Sequence, residues 1–403
     1  MSYIARQNTP SDQDRFSRIP LSEPTQTGRE WDYVRDCLET NWLSSAGPYV
    51  SRLEALVADR LGVTHAVATS SGTAALHVAL QVADVGSGDE VLVPSLTFMA
   101  SINAIRYLGA CPVLIGPDAD TGQMSVDSLE RFIESHCSVI HGSLVNASSG
   151  RRVKAVMPVH ILGHPCDMDT LLKLAQEYGI SVVEDACEAL GARYKGREIG
   201  SFGHIACFSF NGNKIVTAGA GGMIVTNRTD WGTRAKHLTT QAKEDGVEFV
   251  HTEVGYNYRL SNIHAAIGCA QIESLDERIV TKRRLSERYL TGLADIDGIT
   301  PLREASWATG NAWLTAVRVD PERYGRSSRD LQHLLQELGI ESRPLWQPAH
   351  LSPAGKGLRS FECDAADALY ESVLCLPSSV SLSDEDQDRV IDAIASAANG
   401  VQL

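Results

Sequence analysis

Short apolar, β-branched runs alternate with helical stretches between residues 65 and 226, and this alternation constrains the fold more than any other feature. The runs at 90–93, 153–159 and 180–183 have the nearly continuous apolar character of strands buried on both faces. Parallel strands need a crossover, usually a helix, so the pattern predicts a mostly parallel sheet covered by helices. No segment repeats with a period of about 20–50 residues, which excludes a solenoid.

The pattern changes after about residue 290, where the regular alternation ends. Strand, helix, strand and helix are expected in turn at residues 312–319, 328–338, 341–345 and 383–397. This order predicts a small α+β unit. We therefore predict an N-terminal arm at 1–22, a large domain at 23–285 and a small C-terminal domain at 286–403. The Gly-, Ser- and Asn-containing stretch at 138–152 is interpreted as an inserted surface loop.

Charge and composition narrow the class of protein. The 403 residues include 36 Lys and Arg against 50 Asp and Glu, a net charge of −14. This balance argues against nucleic acid or an anionic membrane as the main partner. No apolar run approaches the ~20 residues of a membrane span, and residues 1–18 lack the apolar stretch of a secretory signal. We expect a cytoplasmic enzyme whose nine scattered cysteines, without a CxxC pair, are reduced.

Lys214 lies between the apolar run 207–210 and a glycine-rich segment at 219–222. An apolar run followed by glycines predicts a strand that enters a tight, shaped loop. A primary amine held in such a loop is a candidate nucleophile for an aldehyde or ketone, with which it forms a Schiff base. Taken alone, a lysine beside glycines is more often a solvated loop residue, so its neighbours decide the interpretation.

Two further features give Lys214 a chemical context. Asp185 ends the apolar run that begins at residue 180, at the strand end where ligands bind in open α/β sheets. The Ser71-Gly72-Thr73 turn opens a helix, and a helix N-terminus is a seat for phosphate. An amine, a carboxylate for a cationic ring nitrogen and a phosphate seat are the three groups that a pyridoxal phosphate (PLP) site needs.

Five motifs occur together in a characteristic order. They are Ser-Gly-Thr-x-Ala-Leu at 71–76, Pro-Ser-Leu-Thr-Phe at 94–98, Glu-Asp-Ala at 184–186, Phe-Ser-Phe at 208–210 with Lys214, and Gly-Tyr-Asn-Tyr-Arg-Leu at 255–260. Over residues 19–380 the chain resembles the DegT/DnrJ/EryC1/StrS family of PLP-dependent nucleotide-sugar aminotransferases. The resemblance implies a fold type I aminotransferase, with a large PLP-binding domain and a small α+β C-terminal domain.

Within that family, three features look most like the LegC-type branch. They are Phe-Asn-Gly-Asn-Lys-Ile at 210–215, Ser-Asn-Ile-His-Ala-Ala at 261–266 and the long segment before Arg151. Enzymes of this branch aminate C4 of UDP-linked 4-keto-6-deoxy sugars in nonulosonic acid and surface-glycan biosynthesis. Gly219-Ala220-Gly221-Gly222 departs from the Gly-Glu-Gly-Gly of many relatives, a change that this branch tolerates.

The resemblance assigns four residues to the cofactor phosphate. Gly72 and Thr73 would offer backbone N–H groups, and the hydroxyl of Ser209 matches a position that reaches the phosphate in relatives. Asn257 matches an asparagine that contacts the phosphate from the neighbouring subunit, although an asparagine in this sequence is otherwise an ordinary turn former. The resemblance therefore implies a homodimer with shared active sites.

The remaining cofactor residues follow from the same resemblance. Lys214 would bind PLP covalently and then act as the general base, Phe98 would stack on the ring, and Glu188 would lie near the ring oxygen. Phe98 could instead fill the core. Glutamate, the usual donor, would leave 2-oxoglutarate and pyridoxamine phosphate (PMP), which predicts ping-pong kinetics. Family dehydratases carry histidine where Lys214 stands, so the lysine favours amino transfer.

The segment at 343–350 resembles the C-terminal segment that approaches the sugar nucleotide in relatives. The candidate substrate residues are therefore Arg343, Trp346 and His350, together with Arg259. Arginine pairs with phosphate and tryptophan packs on a sugar or base, but such side chains also cover apolar surface without a ligand. His160, His164 and Cys166 have metal-like spacing but lack a fourth ligand, so no metal is expected.

Two alternative functions remain open at the level of sequence. The same chemistry could act on a free keto sugar such as an 8-keto octulosonate, since relatives differ in the carbon that they aminate. A catalytically inactive relative could instead serve as a scaffold or sensor. The presence of Lys214, Asp185 and Ser209 argues against the inactive alternative.

Overall fold

A computed structural model describes residues 18–245 and 247–398. Most of the predicted N-terminal arm, residues 1–17, lies outside the described residues. The strands are β1 (His65–Thr69), β2 (Glu90–Pro94), β3 (Cys111–Ile115), β4 (Cys137–Ile140), β5 (Ser143–Asn146), β6 (Arg151–Val156), β7 (Ser181–Asp185), β8 (Arg193–Tyr194), β9 (Arg197–Glu198), β10 (Ile205–Ser209), β11 (Gly222–Thr226), β12 (Ile299–Pro301), β13 (Ala308–Thr309), β14 (Thr315–Val319), β15 (Arg343–Pro344), β16 (Arg359–Phe361) and β17 (Val373–Leu376).

Helices connect and cover these strands. They are α1 (Arg29–Glu39), α2 (Pro48–Leu61), α3 (Gly72–Val82), α4 (Met99–Tyr107), α5 (Val126–His136), α6 (Met168–Tyr178), α7 (Thr229–Thr239), α8 (Asn262–Ile272), α9 (Leu275–Gly292), α10 (Pro321–Tyr324), α11 (Ser328–Glu337), α12 (Asp364–Ser372) and α13 (Asp384–Ala398). None of the helices in the described part of the chain is long and apolar enough to cross a membrane.

The large sheet has the strand order β1-β11-β10-β7-β6-β2-β3-β16. Neighbouring strands from β10 to β16 are parallel, whereas β11 is antiparallel to both β1 and β10. Successive residues of β2 face opposite sides: Leu92 packs in one core, and Val91 and Val93 pack in the other. The sheet is therefore buried on both faces, and the predicted α/β architecture with a mostly parallel sheet is confirmed.

The stretch at 138–152 is a correction to the sequence analysis. It contains the antiparallel pair β4 and β5 rather than a loop, and β5 continues the pairing onto β6. His141 and Gly142 join the two strands with φ values of 49° and 76°. A two-residue connection with positive φ at both positions matches the right-handed twist of the flanking strands. The β-branched residues on either side then pair as a hairpin.

The C-terminal part contains a small antiparallel sheet with the order β12-β14-β17-β15. The strand expected at 341–345 is reduced to Arg343–Pro344, because Glu341 pairs instead with the arm, its N–H donating to Ile19 O at 2.9 Å. Two elements cross the predicted boundary at 285/286. Helix α9 runs through it, and β16 joins the large sheet beside β3. The domain limits themselves stay a prediction.

Candidate active site

The carboxyl ends of the parallel strands meet at one edge of the large sheet and place the candidate residues there. β7 ends at Asp185, β10 ends at Ser209, and α3 begins beside them at Gly72. A cavity of about 340 Å³ opens at this edge. The predicted residues that line it are Gly72, Thr73, Phe98, Asp185, Glu188, Ser209, Lys214 and Trp346.

Lys214 lies in the turn between β10 and β11. Its backbone N–H donates to Asn211 O at 3.0 Å, which closes the turn. Its Nζ lies 3.4 Å from Glu188 Oε1 and 4.0 Å from the centre of the Trp313 ring. The indole N–H of Trp313 in turn donates to Asn213 O at 2.7 Å. The amine is therefore held between a carboxylate and an aromatic face, both of which attract a cation.

Glu188 links Lys214 to an unusual backbone conformation. Its Oε2 accepts the N–H of Leu162 at 2.9 Å, and Leu162 has a φ of 56°, which non-glycine residues rarely adopt. Burial raises the pKa of Glu188, and the nearby Lys214 amine opposes that effect. The carboxylate thus stands between the amine and the segment that follows His160.

Asp185 faces the cavity with both carboxylate oxygens already engaged. Oδ2 accepts the hydroxyl proton of Ser101 at 2.7 Å, and Oδ1 accepts the N–H of Cys187 at 3.2 Å. The residue is 4% exposed. An ionised carboxylate has about four acceptor positions, so these two bonds leave capacity for the N–H of a cationic ring.

The neighbouring Glu184 points away from the cavity and has a structural role. It is fully buried, and its oxygens accept the N–H groups of Gly200 and Phe202 and the Nε2 of His160. Burial would raise the pKa of Glu184, but the hydrogen bonds from His160 and the backbone lower it overall. His160 Nδ1 accepts from Cys166 N, and the described residues contain no cluster of three metal-ligating side chains.

The turn at residues 71–73, the candidate phosphate seat, packs so closely on its neighbours that it requires glycine at residues 72 and 222. A Cβ on Gly72 would lie 2.9 Å from both Ser209 Cβ and Cys187 Sγ, and a Cβ on Gly222 would lie 2.6 Å from the Ser71 carbonyl. Ser71 caps α3, its hydroxyl accepting the N–H of Ala74 at 3.1 Å. The first N–H groups of a helix have no partner within that helix, so the start of α3 is a ready anion seat.

Four of the predicted residues lie outside this cavity. Asn257 is exposed, and its Oδ1 accepts from the Arg259 guanidinium at 3.1 Å. Arg343 is exposed and donates to Ser342 O at 3.1 Å, whereas His350 bonds Asp367 at 2.8 Å. Their expected roles toward phosphate and substrate stay predictions.

Sequence reasoning missed two residues of the site. Trp313 precedes β14, lines the cavity and stacks on Trp346 with 6.2 Å between ring centres and 9° between planes. Ser101 lies one helical turn after Phe98, and that spacing was the available signal. No sequence signal placed Trp313 beside Lys214, because they belong to segments that only tertiary folding brings together.

Comparison with known proteins decides the family. The model of the DegT/DnrJ/EryC1/StrS aminotransferase family matches residues 24–395. The chain belongs to this family. EpsN of Bacillus subtilis (strain 168), named as a pyridoxal phosphate-dependent aminotransferase, is 38% identical over 390 residues, which are 96% of this chain and 97% of EpsN. The GDP-perosamine synthase of Caulobacter vibrioides (strain ATCC 19089 / CIP 103742 / CB 15) is 39% identical over 378 residues, 94% of this chain and 97% of the synthase.

Among solved structures, DesI in the presence of its TDP-sugar product is similar to this DegT-family chain. The two share 30% identity and a TM-score of 0.84, over 95% of this chain and 94% of DesI. The protein is therefore a PLP-dependent sugar aminotransferase. Its cavity fits the cofactor, because the first N–H groups of α3, the buried Asp185 carboxylate and the Lys214 amine suit its phosphate, ring nitrogen and aldehyde in turn.

Proposed function

We propose that the protein transfers the amino group of L-glutamate to C4 of a nucleotide-linked 4-keto-6-deoxy sugar, a UDP-linked N-acetylhexosamine in the first instance. The observation that carries this proposal is the convergence of the Lys214 amine, the Asp185 carboxylate and the start of α3 on one cavity of about 340 Å³. We place the reaction in the cytoplasm, in bacterial surface-glycan or nonulosonic acid biosynthesis.

PLP, when bound, supplies an electron sink for the carbon that loses its proton. Lys214 Nζ would hold the aldehyde, and after release would carry a proton to and from the donor's α-carbon. Asp185 would accept the ring N–H and keep that nitrogen cationic. Glu188 lies 3.4 Å from Lys214 Nζ, close enough to orient the amine. Glutamate would thus leave as 2-oxoglutarate before the keto sugar enters.

The other residues would hold and shield the ring. Gly72, Thr73 and Ser209 would bind the phosphate, and the Phe98 side chain, 59% exposed at the start of α4, leaves a ring face free for stacking. Asn257 is exposed and outside the cavity of its own chain. That position supports a homodimer in which each chain completes the phosphate site of the other.

The sugar would contact the aromatic side of the cavity. Trp346 lines it and is half-buried against Trp313, so its free surface can pack on the apolar face of a sugar. Arg259 and Arg343 remain the candidate partners for the diphosphate. His350 is the weakest candidate for a substrate contact, because its imidazole already bonds Asp367.

A GDP-linked sugar is the second candidate substrate. The relative named GDP-perosamine synthase is 39% identical over 94% of this chain, which supports this candidate. DesI, named with a TDP-sugar product, supports a nucleotide-linked substrate in general.

A substrate panel tests the proposal. UDP-, GDP- and dTDP-linked 4-keto-6-deoxy sugars and a free 8-keto octulosonate would be incubated with enzyme and glutamate, with Lys214→Ala as the blank. We expect the UDP-linked sugar to give the highest kcat/KM, read as amino sugar by mass spectrometry and as 2-oxoglutarate. Preference for the GDP-linked sugar would replace the first candidate by the second. Amination of the free sugar alone would contradict a nucleotide-linked substrate.

A further inference from the structure

We propose that Ser101, supported by Thr97, is a positioning residue that holds the Asp185 carboxylate in one orientation and stabilises its negative charge. This inference rests on the role proposed above for Asp185 as the partner of the cofactor's ring nitrogen. It goes beyond that role because it names the residues that keep the Asp185 carboxylate oriented and ionised for its contact with the ring nitrogen.

The bond between Ser101 and Asp185 is short and buried. Ser101 Oγ lies 2.7 Å from Asp185 Oδ2, and the two residues are 1% and 4% exposed. The N–H of Cys187 binds the other oxygen at 3.2 Å. Each carboxylate oxygen thus accepts a hydrogen bond from a different segment of the chain. Two such bonds fix the plane of the carboxylate, whereas a single bond would leave it free to rotate. Hydrogen bonds to a charged acceptor are also stronger than neutral ones.

The direction of the hydroxyl chain follows from counting protons. An ionised Asp185 can only accept, so Ser101 donates its single hydroxyl proton to it. Ser101 Oγ can then only accept from Thr97, whose buried Oγ1 lies 3.0 Å away. The other acceptor within reach of the Thr97 hydroxyl, Phe98 O, is farther at 3.3 Å. Thr97 to Ser101 to Asp185 is therefore a chain of donors that ends on the carboxylate. Each bond in such a chain polarises and strengthens the next.

The same helical turn carries the stacking residue. Phe98 precedes the first residue of α4, Met99, and Ser101 lies in the first turn of that helix. The positive end of the helix adds a favourable interaction with the negative charge of Asp185. One rigid turn would thus set both the face on which the ring stacks and the acceptor for its nitrogen. A carboxylate that became protonated would no longer keep that nitrogen cationic.

The test uses holoenzyme loaded with PLP that carries ¹⁵N in its ring. The ¹⁵N chemical shift reports protonation of the ring nitrogen, and the rate of cofactor release is measured separately. For Ser101→Ala we expect the shift to move toward the unprotonated value and release to accelerate by about tenfold, the effect of a hydrogen bond to a charged group. Ser101→Thr keeps the hydroxyl and should restore both readouts.

Ser128→Ala is the matched control. Ser128 is also buried and donates to a carboxylate, Glu362 Oε2, at 2.7 Å, but outside the cavity. We expect wild-type values for this variant. Thr97→Val preserves the shape of the side chain, and should shift the ¹⁵N signal in the same direction as Ser101→Ala by a smaller amount. It replaces Ser101→Ala as the deciding variant if that protein does not fold.

Two results separate this inference from the role of Asp185. If Asp185→Asn changes the ¹⁵N shift while Ser101→Ala and Thr97→Val match the wild type, the Ser101 inference is overturned and the proposed role of Asp185 stands. If Asp185→Asn also leaves the shift unchanged, both are wrong. Equal effects in Ser101→Ala and Ser128→Ala would reduce the role of Ser101 to general stability and would likewise overturn the inference.

Discussion

The two sides of the cavity are built in different ways. On the side of the large sheet, Gly72, Asp185 and Ser209 lie at the ends of hydrogen-bonded strands or at a helix start. On the opposite side, Trp313 and Trp346 come from the C-terminal part and contribute side chains from segments that flank β14 and β15. Paired backbone holds the first side, whereas the second side is held by side-chain packing and by hydrogen bonds from Trp313 to Asn213 O and Asn311 Oδ1.

This difference suggests a division of labour. The cofactor has the same phosphate, ring and aldehyde in every turnover, so a rigid site suits it. Sugar substrates differ between relatives, so their side of the cavity must tolerate substitutions that leave the sheet undisturbed. One buried amine anchors the C-terminal side. Lys282 of α9 donates to the carbonyls of Trp313 and Ser378. Variants on the sheet side should affect both half-reactions, whereas variants on the C-terminal side should affect only the half-reaction of the keto sugar.

Lys214→Ala should have the largest effect. The amine is the only group in the described cavity placed to form a covalent bond with the cofactor aldehyde, so turnover and covalent attachment should both be abolished. Absorbance and mass after borohydride reduction would measure attachment. Lys173→Ala, an exposed lysine on α6, is the control and should match the wild type. Transamination at the wild-type rate in Lys214→Ala would contradict the mechanism.

Asp185→Asn should lower kcat for both half-reactions by about 150-fold to 5,000-fold, because breaking a buried ion pair costs about 3–5 kcal/mol and each 1.36 kcal/mol is tenfold in rate. Glu184→Gln makes the comparison informative. Glu184 accepts hydrogen bonds from the backbone N–H groups of Gly200 and Phe202 and does not face the cavity. Its substitution should therefore lower Tm and leave kcat of the folded enzyme near normal. A catalytic loss in Glu184→Gln as large as that in Asp185→Asn would refute the separation of the two neighbouring carboxylates.

Gly72→Ala should weaken PLP binding by about tenfold or more, since the added Cβ meets atoms at 2.9 Å and overpacking costs about 1–3 kcal/mol. Titration of apoenzyme with PLP measures the effect. Gly212→Ala is the matched control, because its Cβ would meet no atom within 4 Å. Equal affinity in the two variants would mean that the start of α3 does not hold the phosphate.

Lys282→Met tests, through the pH dependence of stability, the buried amine that anchors the C-terminal side. Burial, with a smaller contribution from Arg278, lowers the pKa of Lys282 from 10.5 to about 7. Between these values the unfolded chain binds more protons, so the wild type's free energy of unfolding rises with pH through this window. The wild type should gain about 2 kcal/mol relative to Lys282→Met between about pH 7 and pH 9, at about 1.4 kcal/mol per pH unit.

Urea unfolding at the two pH values measures this difference. Lys173→Met removes an exposed lysine and should show no such gain. A wild type whose stability relative to Lys282→Met is the same at both pH values would show that the buried amine does not titrate in this window.

Trp346→Leu should have the smallest effect. Loss of an aromatic contact is worth about 0.5–1.5 kcal/mol, so KM for the keto sugar should rise by about twofold to tenfold. The glutamate half-reaction, followed alone by the change in cofactor absorbance, should keep its rate. Trp31→Leu, at a tryptophan that is 74% exposed and outside the cavity, should leave both unchanged. A slower glutamate half-reaction in Trp346→Leu would break the proposed division between the two sides.

The sheet side of this site could be predicted from sequence, because the topology of a parallel sheet determines where its strands end. Once the runs ending at Asp185 and Ser209 are assigned as parallel strands, their carboxyl ends must share an edge. Lys214 follows β10 by a few residues and cannot lie far from it. Local patterns therefore determine this half of the cavity.

The C-terminal side could not be predicted in the same way. Trp313 reaches Lys214 only through the packing of separate segments, and β16 is a three-residue strand that begins with a charged residue. The hairpin at 138–152 was missed because its Gly and Asn content outweighed its β-branched residues, although His141-Gly142 forms a two-residue turn. Sequence pattern shows which secondary structure a segment prefers, but these features depend on which other segment of the folded chain it packs against.

The position of β16 has a consequence for biosynthesis. Arg359–Phe361 is the outermost strand beside β3, and it leaves the ribosome long after β3 has been made. Until then the unpaired edge of β3 is open to strands of other nascent chains. We expect β16 to cover this edge late in synthesis, so that chains truncated before residue 359 would aggregate even though Lys214 and Asp185 had already been synthesised.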